Sequence, residues 1–121
     1  MRDEKLYLQD IIEAITAIEV FLTNIKEKDF AFNELIQSAV LYKLSIVGEA
    51  SSRISAELKT LYPQVAWKEI IGFRNFAVHA YFAINQPIIW TTATEDTVIL
   101  KEQIIKILKN EFPDFELKTK S

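Results

Sequence analysis

The sequence contains no cysteine, only two glycines, three prolines and a single histidine in 121 residues. Without cysteine there can be no disulfide scaffold, thiol catalysis or thiolate-bound zinc or iron–sulfur centre, and one histidine argues against a zinc site. So little glycine and proline leaves few turn-formers, which speaks against a sheet protein of this size and predicts an almost wholly helical chain. There is no uncharged apolar run near the roughly 20 residues that span a bilayer, and Met1 is followed by Arg2, Asp3, Glu4 and Lys5. A soluble, cytoplasmic protein without a membrane partner is expected. The net charge is -3, so the molecule as a whole repels nucleic acid and any contact with it must be local.

Half of the residues are hydrophobic. A chain of this mass can bury about two thirds of its unfolded surface, enough for one core and no more. Residues 1–112 are read as one domain and residues 113–121 as a polar tail that frays. Leu8, Ile11, Ile15, Ile18, Leu22 and Ile25 recur at steps of three and four, the mark of an amphipathic helix from about Asp3, its N-cap, to Lys26. After a short connection Asn33 is placed as the next N-cap. It opens a stripe of Ile36, Val40, Lys43, Val47, Ala50, Ile54 and Leu61, a rod of about 42 Å if unbroken. Its flanks, Leu35, Ala39, Leu44 and Ile46, are apolar too, so it should sit centrally or face another subunit.

Gly48 inside that rod costs about 1 kcal/mol in helix propensity relative to Ala, which points to a close approach of another backbone. Pro63 ends the rod. A third helix is expected from about Ala66 to Ala80, and a fourth with Pro87 in its first turn and Ile88, Ile89, Val98, Ile104, Ile105 and Leu108 buried. The weak helix formers of Thr91 to Thr97 predict a kink or break there.

The segment from Phe73 to Phe82, FRNFAVHAYF, sets Arg74, Asn75, His79 and Tyr81 among apolar residues. Arg74 and Tyr81 share one helical face, and Asn75 and His79 the neighbouring one. Arg74 and His79 lie about 140° apart round an ideal helix. They meet on one ligand if the arginine reaches round, the helix loosens, or a second copy faces the first. Metal-independent RNA cleavage needs a base for the 2′-hydroxyl proton, an acid for the leaving 5′-oxygen and a fixed cation for the phosphorane. Histidine can fill either proton role, and guanidinium grips phosphate through paired donors. With one histidine per chain, a symmetric dimer would bring two together.

FRNFAVHAYF resembles the Arg-x4-His motif of HEPN domains, and the tyrosine two residues beyond the histidine is similar to the HepT branch found beside MNT-type nucleotidyltransferases. Gly48-Glu49-Ala50, Pro63, Trp67 and Trp90 follow the order of that branch, so the resemblance covers most of residues 3 to 110. It implies an all-α, up-and-down bundle of four to five helices forming a symmetric homodimer. It implies a metal-independent endoribonuclease toxin of a HEPN/MNT toxin–antitoxin pair, without cofactor, whose partners are RNA and the cognate nucleotidyltransferase. Arg74 and His79 would be catalytic, Asn75 and Glu49 supporting, and Tyr81 the acceptor for an AMP group added by the antitoxin. Ala80, Phe76 and Ala77 are less polar than in many relatives, which bears on substrate contacts.

Other readings remain open on the residues alone. Arg74 could bridge to Glu49 and pin the third helix to the second, a role compatible with catalysis. The chain could be a non-catalytic partner of a nucleotidyltransferase, with Arg74 holding a nucleotide. Trp67 and Trp90 fit packing better than base stacking. The run Lys101, Glu102, Lys106, Lys109, Asn110, Glu111 reads as a solvated face, and Glu95 with Asp96 makes no metal site by itself.

Overall fold

Steps of three and four in the first 20 residues become α1, Glu4–Phe21. Leu8, Ile11, Ile15 and Ile18 are wholly shielded from solvent. The computed structural model describes residues 3–75 and 86–114. Helix α1 ends before Lys26 because Asn24 adopts φ 61°, the left-handed conformation that asparagine tolerates better than most residues. Asp3 stands at the N-cap without a side-chain cap bond. Its carbonyl accepts from Leu6 N at 3.0 Å instead.

A four-residue helix, α2 (Glu27–Phe30), replaces the plain connection expected there. The Asp29 carboxylate accepts from Lys26 N at 3.2 Å, and Phe30 is driven into the core. Asn33 caps α3 (Glu34–Ser52) as expected, its side chain accepting from Ile36 N at 3.0 Å. The long rod is not continuous, because α3 stops after 19 residues and α4 (Ala56–Leu61) begins anew. Two acceptors favour that restart. The Ser55 hydroxyl takes Leu58 N at 3.1 Å, and the Glu4 carboxylate from the first turn of α1 takes Ser55 N. Both satisfy N–H groups that a continuous helix would have bonded internally. Leu61, expected in the buried stripe, is 63% exposed beyond the break.

Helix α5 (Trp67–Gly72) tightens into a 3-10 turn at Phe73–Asn75. Helix α6 (Gln86–Thr91) runs through a π-helical turn at Thr92–Asp96 into α7 (Thr97–Glu111). The weak helix formers thus widen the helix without breaking it. Thr97 N–H bonds back to Thr92 O, while the Thr94 and Thr97 hydroxyls donate to the carbonyls of Trp90 at 2.7 Å and Ala93 at 2.9 Å. Threonine is suited to this because its hydroxyl can supply a bond that the widened backbone does not. Ile89, Ala93, Thr97, Leu100, Ile104, Ile107 and Leu108 point inward. Val98, just beyond the turn with its extra residue, is exposed, and so is Ile88 ahead of it, although both are expected in the buried face.

Helix α1 packs against α3 on one side and α7 on the other, and α3 carries α5 and the 3-10 turn. Among the described residues there are four major helical runs and no strand, and no helix is long and apolar enough to cross a membrane. The Tyr62 hydroxyl donates to Glu111 at 2.7 Å and ties the end of α4 to the end of α7. That carboxylate holds the tyrosine's proton and pushes its pKa above the usual phenol value.

Candidate functional site

The approach to the site begins at Trp67, whose ring is buried and whose Nε1 donates to Tyr62 O at 3.0 Å. This anchors the start of α5, and Ile70 and Phe73 then face the core three residues apart. Because Phe73 turns inward, the next two residues turn outward. Arg74 and Asn75 are exposed at the end of the 3-10 turn. His79 and Tyr81 lie outside the described residues, so the structure brings together Arg74, Asn75 and Glu49 from the expected set and says nothing of the other two.

The turn rests against Gly48 in α3. A methyl group built there would lie 2.9 Å from the Ile71 carbonyl oxygen, 3.0 Å from Arg74 Cα and closer still to the Arg74 backbone nitrogen. The close approach expected at this glycine is therefore present, and its partner is the backbone of Arg74 itself. Any larger residue would collide with main-chain atoms that cannot swing aside.

Glu49 does not bridge to Arg74. Its carboxylate accepts from Arg53 Nε at 3.1 Å and pairs with Arg53 Nη2 at 3.0 Å, one helical turn further along α3. Both side chains are exposed, and no ion pair joins Arg74 to another described residue. Helix geometry explains the choice, since residues four apart on a helix are neighbours on its surface. The spacing of Glu49 and Arg53 carried that signal, which the reading centred on Arg74 passed over. A surface guanidinium with no carboxylate partner among the described residues has donors to offer an incoming anion.

The other polar and aromatic candidates fall into place around this. Trp90 is half-buried with its ring 5.4 Å from that of Phe30 at an angle of 49°, so both tryptophans serve packing. Lys101 is joined to Glu19 of α1 at 2.9 Å, and Glu102, Lys106, Lys109, Asn110 and Glu111 form the expected solvated face. Among the described residues no group of three or more His, Cys, Asp or Glu side chains gathers to hold a metal ion.

The profile of the family described as "Ribonuclease HepT-like" matches residues 11–107. The chain belongs to the HepT-like ribonuclease family. It is 40% identical to the "Probable ribonuclease HepT" of Thermococcus cleftensis over 108 residues, 89% of this chain and 98% of that one. Over 103 residues it is 36% identical to a "Putative RNase" of Methanocaldococcus jannaschii, covering 85% and 94% of the two chains. A relative of the same printed description from Caldanaerobacter subterraneus is 31% identical over 111 residues, 92% of this chain and 99% of the relative. No solved structure matches. The matched range, 11–107, includes the segment from Arg74 to Tyr81.

Proposed function

We propose that this HepT-like chain is a metal-independent endoribonuclease, the toxin of a HEPN/MNT toxin–antitoxin pair, working as a homodimer. The observation that carries the reading is an exposed Arg74, free of any carboxylate among the described residues, inside a family match to ribonucleases. In this reading the His79 imidazole of one copy takes the proton from a 2′-hydroxyl, and that oxygen attacks the adjacent phosphorus. The phosphorane's charge is held by the Arg74 guanidinium groups. His79 of the second copy protonates the departing 5′-oxygen, leaving a 2′,3′-cyclic phosphate and a free 5′-hydroxyl. Two copies are needed because each chain supplies one histidine.

A second copy also has a surface to meet. Phe32, Leu35 and Tyr42 at the start and along the outer side of α3 are 91%, 81% and 59% exposed, and side chains of this kind gain most from being covered. Asn75, beside Arg74, would contact the RNA, and Glu49 would act through Arg53 in shaping the local charge. Tyr81 would be the AMP acceptor: a phosphate and a nucleoside placed there would occupy the space and oppose the charge of the incoming strand.

Expression of the wild type without a nucleotidyltransferase is expected to slow growth, and purified protein to cut RNA to ends carrying a 2′,3′-cyclic phosphate. His79→Ala and Arg74→Ala should each relieve the growth defect and lower cleavage by two orders of magnitude or more. Equal growth of wild type and His79→Ala, with no cleavage by either, would replace this reading with that of a non-catalytic partner of the nucleotidyltransferase.

A further inference from the structure

We infer that Gly48 is a positioning residue of the cleavage reaction, its bare backbone acting as the seat that fixes where Arg74 leaves the bundle. The inference rests on the nuclease reading above and adds to it a residue that touches neither RNA nor the reacting atoms.

The chain has two glycines, both within helices, and their surroundings differ. A methyl group at Gly72 would meet nothing within 4 Å, whereas one at Gly48 would press on Ile71 O, Arg74 N and Arg74 Cα. All three are main-chain atoms, so relief cannot come from a rotamer change. The backbone from Ile71 to Arg74 would have to move away from α3, by roughly half an ångström to restore ordinary contact with Ile71 O and by more to restore it with Arg74 N. It is not free to do so at no cost, because the Phe73 ring within the same turn is buried in the core. The turn is therefore tethered by a buried ring and seated on a missing side chain, and Arg74 Cα is one of the seated atoms.

Such a seat matters for an arginine that must meet phosphate. Paired donation from a guanidinium to two oxygens depends on direction as well as distance. A misplacement near 1 Å can reduce turnover on the order of 100-fold without touching the reacting groups. Local helix stability alone would favour alanine at both positions. Only at Gly48 does the environment oppose it.

A double-mutant cycle on RNA cleavage tests this, using wild type, Gly48→Ala, Arg74→Ala, the double variant and Gly72→Ala as control. Gly48→Ala is expected to lower kcat on the order of 100-fold, and Gly72→Ala to cut at the wild-type rate. Added to Arg74→Ala, Gly48→Ala should cost no more than about twofold further, because an arginine already absent cannot be misplaced. A mere loss of folded protein would carry over into that background in full, and such an additive result overturns the inference. So does a Gly48→Ala enzyme as fast as wild type, an outcome that leaves the nuclease reading standing. Wild-type protein that cuts no RNA removes both. If circular dichroism shows Gly48→Ala unfolded, Phe73→Leu, which loosens the same turn from the core side, takes its place. Its loss should again vanish in the Arg74→Ala background, and an additive loss rejects the seat.

Discussion

Glu49 and Arg74 approach each other through Gly48 yet form no ion pair, and the reason lies one turn along α3 in Arg53. A pair four residues apart on one helix is held together by the helix itself, whereas a bridge to Arg74 would need two separate elements to agree. Exposed pairs of this kind contribute well under 1 kcal/mol. Glu49→Gln should therefore change the unfolding free energy by less than about 0.5 kcal/mol in a urea titration, and should leave RNA cleavage within a few-fold of wild type. A large drop in either would show that the carboxylate has a second task. At this scale the sequence was informative about types and less so about pairings. Gly48 announced a close contact because glycine inside a helix needs a reason, but nothing in a string of letters names the atoms on the other side. Of the pairings open to Glu49, the structure has the local one, to Arg53 one turn along, and not the bridge to Arg74.

Among the elements, caps decided more than periodicity did. Asn33 was legible as a start because its amide oxygen takes an N–H that the first turn leaves free. Asn33→Ala should cost about 1 kcal/mol and lower the melting temperature by roughly 3–6 °C, measured by circular dichroism at 222 nm. The break at Ser55 was hidden for the opposite reason. Ile54 and Leu58 keep the apolar rhythm across it, and half of its capping comes from Glu4, some fifty residues away in sequence. Periodicity reports which side of a segment is buried and is blind to a restart that preserves that side. The fourth run differs for another reason: its weak helix formers are visible in the sequence, but the extra residue that their turn takes up is not, and just beyond it Val98 lies at the surface and Leu100 in the core.

As a whole, the molecule covers one side of α3 with α1 and α5 and leaves Leu35 and Tyr42 of the other side in water. Single exposed apolar residues are common, but aromatic and aliphatic groups gathered along one helix mark a contact surface. The proposed dimer makes a direct expectation here. Sedimentation equilibrium of the wild type should return twice the chain mass, and the pair Leu35→Glu with Tyr42→Glu should return a monomer that retains its helical signal and no longer cuts RNA. A wild-type monomer that cuts RNA would show that one histidine suffices. The acidic balance of the chain gives this assembly a further property. Each copy is repelled by RNA on average, so binding should depend on a few local cations and weaken only gently with added salt.

The π turn at Thr92–Asp96 holds one residue more than an ordinary turn, with threonine hydroxyls filling the gap. A helix so built contains slack at a known place. Elsewhere in α7 the loss of a codon would spin Ile104 and Leu108 out of register with α1, but within this turn it would convert a wide loop of backbone into a regular one. Deleting one residue is thus least harmful there, since the backbone can close to an ordinary turn without rebuilding the core.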